Sequence, residues 1–260
     1  MKNKYSFKFG VIVLSLVLIA CSGGSADAGC PEIDGREINV VATTPMIGEF
    51  VSNVGGDNIN LTVLMPPEAD PHTYEPAPQD AGTIADADLV FYTGLMYEPA
   101  PLIELLENSV CGSEALAEVG ESVFPIEFKE GGHDDHDEEG HDDHDEEGHD
   151  DHDDHGGHEG HGHGAYDPHF WFDPNRVVYA SEFIESKLIE LDPSNAASYQ
   201  AAGDAYTTEL SSLTGQVSQL IGSIPSQNRK LITTHESLGY LEAKFGLEVL
   251  STIIPDLDSS

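Results

Sequence analysis

The sequence predicts an α/β protein of two lobes, each a parallel sheet flanked by helices, joined by a long rigid helix. Three observations predict it. Short β-branched runs alternate with helical spacings between residues 37 and 128, one helix-period pattern then runs through residues 194–223, and a further strand–helix–strand pattern opens at Lys230. Alternation of this kind implies parallel pairing, because a parallel neighbour is reached only by a crossover that covers a face of the sheet.

Taken in order, Glu37 to Thr43 is a β-branched run, and the apolar positions from Pro45 to Val54 suit a helix. Asn60 to Leu64 and Asp88 to Thr93 are the next strands, with a helix over Gln79 to Ala87 between them. Pro101 to Asn108 has helical spacing, and Val123 to Phe128 is expected as a further strand. Asn175 to Leu191 is helical again, and Asp192-Pro193-Ser194 restarts the chain. Tyr199, Tyr206, Leu210, Leu213, Val217 and Leu220 carry the second pattern to about Ser223. A helix of about thirty residues spans about 45 Å, longer than a small domain is wide, so it can brace two lobes. Strands Leu231 to Thr234 and Leu247 to Thr252, around a helix from Ser237 to Phe245, begin the second lobe. Too few elements follow to cover that sheet on both faces, so the second lobe is expected to be truncated, the chain being a C-terminally incomplete fragment.

The expected divisions are a leader (1–21), a tether (22–36), a first lobe (37–174), a helical linker (175–229) and the start of a second lobe (230–260). In the leader, Lys2, Lys4 and Lys8 precede an apolar run from Phe9 to Ala20, too short for a comfortable membrane span. Leu18-Ile19-Ala20-Cys21 resembles a bacterial lipoprotein processing box, which implies cleavage before Cys21, its lipidation, and a protein tethered outside the cytoplasmic membrane. Cys30 and Cys111 then remain; in an oxidising compartment they can pair and tie the mature N-terminus to the first lobe, the alternative being two free thiols.

Charge excludes one class of partner and favours another. Ten basic residues against 48 acidic ones give a formal net charge of −38, which repels a nucleic-acid backbone. Residues 130–163 hold sixteen of the acids, ten histidines and no lysine or arginine, yet the rest of the chain still has 32 acidic residues against 10 basic. The whole molecule therefore favours cations.

Within that segment Gly132-His133-Asp134-Asp135-His136-Asp137-Glu138-Glu139 repeats from Gly140 to Glu147, with His141 and His144. A degenerate copy holds His149, His152 and His155, and His158, His161 and His163 finish the run. This composition buries no apolar area, so a disordered loop is expected. Imidazoles beside carboxylates suit borderline divalent metals, and the loop reads as an auxiliary set of loose chelates, weaker than a preorganised site; a solubilising linker is the bland alternative.

Three histidines lie elsewhere: His72 in Pro66-Pro67-Glu68-Ala69-Asp70-Pro71-His72-Thr73-Tyr74-Glu75-Pro76, His169 in Asp167-Pro168-His169-Phe170-Trp171-Phe172-Asp173-Pro174, and His235 in Thr233-Thr234-His235-Glu236-Ser237-Leu238-Gly239-Tyr240. His72 and His235 follow predicted strands, and ligands of open α/β sheets bind at the carboxyl ends of strands. Prolines beside His72 and His169 limit the ordering needed to present the imidazoles. Singly each is an ordinary surface or hydrogen-bonded histidine; together they support one shared metal site.

These three stretches resemble the metal-binding solute-binding lipoproteins of zinc and manganese ABC importers, over about Glu37 to Thr252 and in the right order. The resemblance implies two lobes of parallel sheet on a rigid helix, with metal in the cleft held by His72 and His169 from the first lobe and His235 from the second. It also implies a fourth, acidic ligand, which in the family comes later in the second lobe. Three imidazoles favour Zn²⁺ over Mn²⁺, which prefers a carboxylate-richer site; the family's manganese members usually have an acid at the position matching His235. Glu75, Asp173 and Glu236 are candidate partners for the outer imidazole N–H groups, while Phe170, Trp171 and Phe172 read as packing beside the site. The function implied is extracytoplasmic capture of Zn²⁺ by a monomer and delivery to an ABC permease driven by a cytoplasmic ATPase. A zinc hydrolase is the rival from another class, since three histidines and an open position also describe catalytic zinc, but no H-E-x-x-H motif is present. A passive metal-storing or adhesion lipoprotein is the third reading.

Overall fold

Strands β1 (Ile38–Ala42), β2 (Ile59–Val63), β3 (Leu89–Tyr92) and β4 (Leu116–Glu118) form a parallel sheet in the order β2-β1-β3-β4. This computed structural model describes residues 33, 35–127 and 165–253. The two-residue strand period decides the layers: Ile38, Val40 and Ala42 with Leu89 and Phe91 face one core, while Val41 and Val90 face another. Helices α1 (Pro45–Gly55), α2 (Pro78–Ala85), α3 (Ala100–Ser109), α4 (Pro174–Leu191) and α5 (Ala196–Gly222) follow in the chain. The first core is closed by α1, α4 and α5 through Ile47, Val51, Val177, Ile184, Leu188 and Tyr199; the second by α2 and α3 through Ile84, Leu102 and Leu106. A fully buried side chain of this size stabilises by about 1.5–3 kcal/mol, so the sheet, covered on both faces, is the rigid part of the molecule.

Local signals start the helices. Thr44 caps α1 by accepting from the Ile47 N–H, and Asp173 caps α4 by accepting from Asn175; both are followed by proline at the first helical position, where no donor is wasted. Between α4 and α5 the Asp192 carboxylate accepts from Ser194, Asn195 and the Tyr199 hydroxyl, which turns the chain back on itself.

The expected strand from Val123 to Phe128 is corrected. The fourth strand is Leu116–Glu118, and Gly120–Val123 is a 3-10 turn. Phe124 adopts left-handed backbone (φ 52°) and stands exposed, Pro125 has no N–H to give a ladder, and Glu127 makes only an isolated antiparallel bridge to Tyr166. The aromatic and branched residues there resembled a strand, but the backbone terms prevail.

α5 is 27 residues long, about 40 Å. Beyond it β5 (Lys230–Thr233) and β6 (Glu248–Thr252) pair in parallel around α6 (Gly239–Phe245). α6 leans on the first sheet's layer rather than standing apart. Tyr240, buried in the core that includes β1, donates its hydroxyl to the Asp167 carbonyl at 2.7 Å and accepts the Ile126 N–H at 3.2 Å. Arg176 lies 5.8 Å over its ring, and Lys244 stands 3.8 Å from Asp173.

Cys21, Cys30 and the ten histidines of the repeat lie outside the described residues. Cys111 is disulfide-bonded, and both other cysteines of the chain fall among the residues not described. No helix among the described residues is long and apolar enough to cross a membrane.

Candidate metal centre

The structure brings His72, His169 and His235 together: one nitrogen from each lies within 4.8 Å of the other two. Ring centroids are 6.5 Å apart for His72 and His169, 6.1 Å for His72 and His235, and 5.5 Å for His169 and His235. His72 comes from the loop between β2 and α2, His169 from the turn that enters α4, and His235 from the carboxyl end of β5. They are 97 and 66 residues apart in sequence, so tertiary packing makes them neighbours: the first lobe brings His72 to His169, and α6, docked on that lobe through Tyr240, brings His235 to both.

His72 and His169 share a local device. Each is the third residue of Asp-Pro-His, and in each the aspartate two residues earlier accepts the histidine backbone N–H, at 3.0 Å from His72 to Asp70 and 2.8 Å from His169 to Asp167. Such side-chain turns fix the backbone where proline has already narrowed it. At His235 the Thr233 hydroxyl donates to the His235 carbonyl at 2.8 Å.

His169 is the most constrained of the three and only 3 % exposed. The same Asp167 oxygen that takes its backbone N–H also lies 2.8 Å from ring Nδ1. A carboxylate only accepts, so Nδ1 carries the proton and Nε2 its lone pair. Nε2 is buried with no hydrogen-bond partner. A buried, unpartnered acceptor is costly unless something fills the place, and a divalent cation would suit it.

Behind the imidazoles stands an aromatic wall. Tyr97, 5 % exposed, meets His72 at 5.3 Å and His169 at 5.8 Å edge-on, and Trp171 packs on both Tyr97 (5.2 Å) and His169 (5.5 Å). Burial, and after it the charges of Glu98 and Asp70, pushes the Tyr97 phenol well above its ordinary range, so it stays protonated. The turn carrying Tyr97 has three successive residues at positive φ: Gly94 (74°), Leu95 (53°) and Met96 (62°). Such a turn points several N–H groups one way and needs anions to receive them. Glu98 accepts from Thr93 N (2.7 Å) and Gly94 N (3.0 Å), and Glu118 from Leu95 N (3.0 Å). Glu98 also takes the Thr43 hydroxyl at 2.7 Å, tying the carboxyl end of β1 to that of β3, where the strand order changes direction. Burial raises the Glu98 carboxyl above its ordinary value against the pull of the hydrogen bonds from Thr43, Thr93 and Gly94.

Asp167, Tyr97 and Glu98 escape the sequence reading. At His169 the partner of ring Nδ1 is Asp167, while Asp173 caps α4 and stands 3.8 Å from Lys244. One signal was available: Asp-Pro-His occurs at both His72 and His169. Phe170 is fully buried in the first core, in keeping with its expected packing role, and Trp171 flanks the imidazoles.

The family model for zinc-uptake complex component A, periplasmic (ZnuA), matches residues 40–259. The manganese-binding lipoprotein MntA of Halalkalibacterium halodurans is 26% identical over 250 residues, which cover 95% of this chain and 70% of that protein. The manganese ABC transporter substrate-binding lipoprotein PsaA of Streptococcus anginosus is 30% identical over 243 residues, 91% of this chain and 68% of that one. Among solved structures, the periplasmic zinc-binding protein TroA from Treponema pallidum aligns with a TM-score of 0.65 at 25% identity, covering 83% of this chain and 66% of that one. A match that runs from within β1 through β6 and includes all three converging histidines settles the relationship: the chain belongs to the ZnuA family, whose members are metal-binding components of ABC importers and not enzymes.

Proposed function

We propose that the protein captures Zn²⁺ outside the cytoplasmic membrane with His72, His169 and His235 and delivers it to an ABC permease driven by a cytoplasmic ATPase. The observation that carries this reading is the convergence of three imidazole nitrogens within 4.8 Å, one of them buried without a partner. Three nitrogens at about 2.0–2.1 Å, completed by an acid or a water, make the tetrahedral shell that zinc accepts without a preferred direction of its own. Manganese is the rival cargo because several curated relatives, the two above among them, are named for it. It favours oxygen donors and more of them, and the converging set is all nitrogen.

The protein is extracytoplasmic and held at the membrane by lipid on Cys21, with 22–36 as its tether, and works as a monomer. A bond from Cys30 to Cys111 would anchor that tether to the first lobe, since Cys111 is disulfide-bonded. The histidine–acid segment gathers metal near the cleft, where a short tether gives an effective concentration in the millimolar range.

Calorimetric titration of the full chain with Zn²⁺ and Mn²⁺ tests the reading. Zn²⁺ should bind more tightly, and His72→Ala, His169→Ala and His235→Ala should each abolish the tightest phase. Deleting residues 130–163 should leave that phase intact and lower the total zinc bound. Tighter Mn²⁺ binding would overturn the zinc assignment. A tightest constant indifferent to all three substitutions would overturn the site.

A further inference from the structure

Tyr97 occupies a place that nothing in the ligand set requires. Its ring meets His72 (interplanar angle 69°) and His169 (89°) in T-shaped contacts, and Trp171 packs against it (76°) and against His169. It cannot swing away cheaply. Its own N–H bonds the Gly94 carbonyl at 3.0 Å, and the preceding N–H groups are held by the Glu98 and Glu118 carboxylates. Two acids and three left-handed residues are thus committed to keeping one aromatic ring against two imidazoles.

A cation held by three nitrogens needs one further ligand to be tetrahedral, but three more to be octahedral, and hard divalent ions insist on the larger shell and keep waters to fill it. Water molecules need room and polar partners. The buried Tyr97 ring lies against both His72 and His169 and takes up room that a larger shell would need. Building on the zinc reading above, we infer that Tyr97 is a positioning residue that sets the coordination number of the site: it fixes the angle between two imidazoles and excludes the extra waters, and so selects a four-coordinate cation over a six-coordinate one.

Co²⁺ is the probe, because its visible absorption is intense in tetrahedral surroundings and weak in octahedral ones. The full chain loaded with Co²⁺ should show the intense spectrum, and Tyr97→Ala the weak one. The ratio of zinc to manganese affinity should fall about 10- to 100-fold in Tyr97→Ala, the range found when groups supporting metal ligands are removed. Tyr97→Phe keeps the ring and should restore both readouts. If Tyr97→Ala does not melt cooperatively, Tyr97→Val, which retains part of the apolar volume, should shift both readouts in the same direction. Retention of the intense spectrum and of the affinity ratio in the smaller variants overturns the inference, as does a Tyr97→Phe protein that behaves like Tyr97→Ala. Failure of the underlying reading shows separately, in a His72→Ala protein with Tyr97 intact whose zinc binding is unchanged.

Discussion

One oxygen of Asp167 accepts two protons' worth of hydrogen bonding from the same residue, the backbone N–H and the ring Nδ1–H of His169. That fixes the tautomer, aims Nε2, and makes the imidazole a better electron donor. Asp167→Asn keeps the shape but removes the charge, so zinc affinity should fall about 10- to 100-fold while the melting temperature moves little; competition against a chromophoric chelator measures the first and calorimetry the second. An unchanged affinity would mean the carboxylate only shapes the turn. The three converging histidines themselves were legible because prolines and strand ends frame them in sequence. Asp167 was not, because a carboxylate two positions before a histidine carries no mark of which nitrogen it will reach, and Tyr97 was not, because only the folded turn places its ring beside residues from two other loops.

At the scale of elements, the strands with a clean two-residue alternation could be read directly: in β1, Ile38, Val40 and Ala42 serve one core and Val41 the other. The fourth strand could not, since Leu116–Glu118 is only three residues long and a more strand-like run follows it. The turn between α4 and α5 was legible as a restart, though not its chemistry. Burial works against ionisation of Asp192, but the hydrogen bonds from Ser194, Asn195 and Tyr199 prevail, and its carboxyl titrates below the ordinary value. A depressed carboxyl stabilises the fold above its unfolded value, about 3.9, and loses that contribution as pH falls through the folded one. Asp192→Asn should therefore cost about 1 kcal/mol at pH 7, the difference between a charge-assisted and a neutral hydrogen-bonded turn, with the gap to wild type closing below about pH 4. Denaturant midpoints across that range check it; a gap independent of pH would show that the charge contributes nothing.

At the scale of the molecule, the two sheets are held in register by more than the length of α5. Tyr240 carries α6 into the first core, and its hydroxyl serves the Asp167 carbonyl and the Ile126 N–H together. Tyr240→Phe leaves both groups short of a partner, which should cost about 1–3 kcal/mol of stability. It should also speed zinc release, since His235 is presented by the unit that α6 anchors. Stopped-flow release into excess chelator reads this, and an unaltered rate would assign the tyrosine to stability alone. The arrangement of the second sheet against the first could not be derived from sequence, because it turns on the Tyr240 ring entering a distant core and on its hydroxyl reaching backbone groups that any residue type supplies.

The meeting of Tyr240 with the residue that steadies His169 has a mechanical corollary. Traction on the distal half would travel through a phenol into the backbone of Asp167, and from there to the basicity and aim of a single lone pair. An ion seated there would be loosened by tugging on the scaffold, with neither acid nor a competing chelator required.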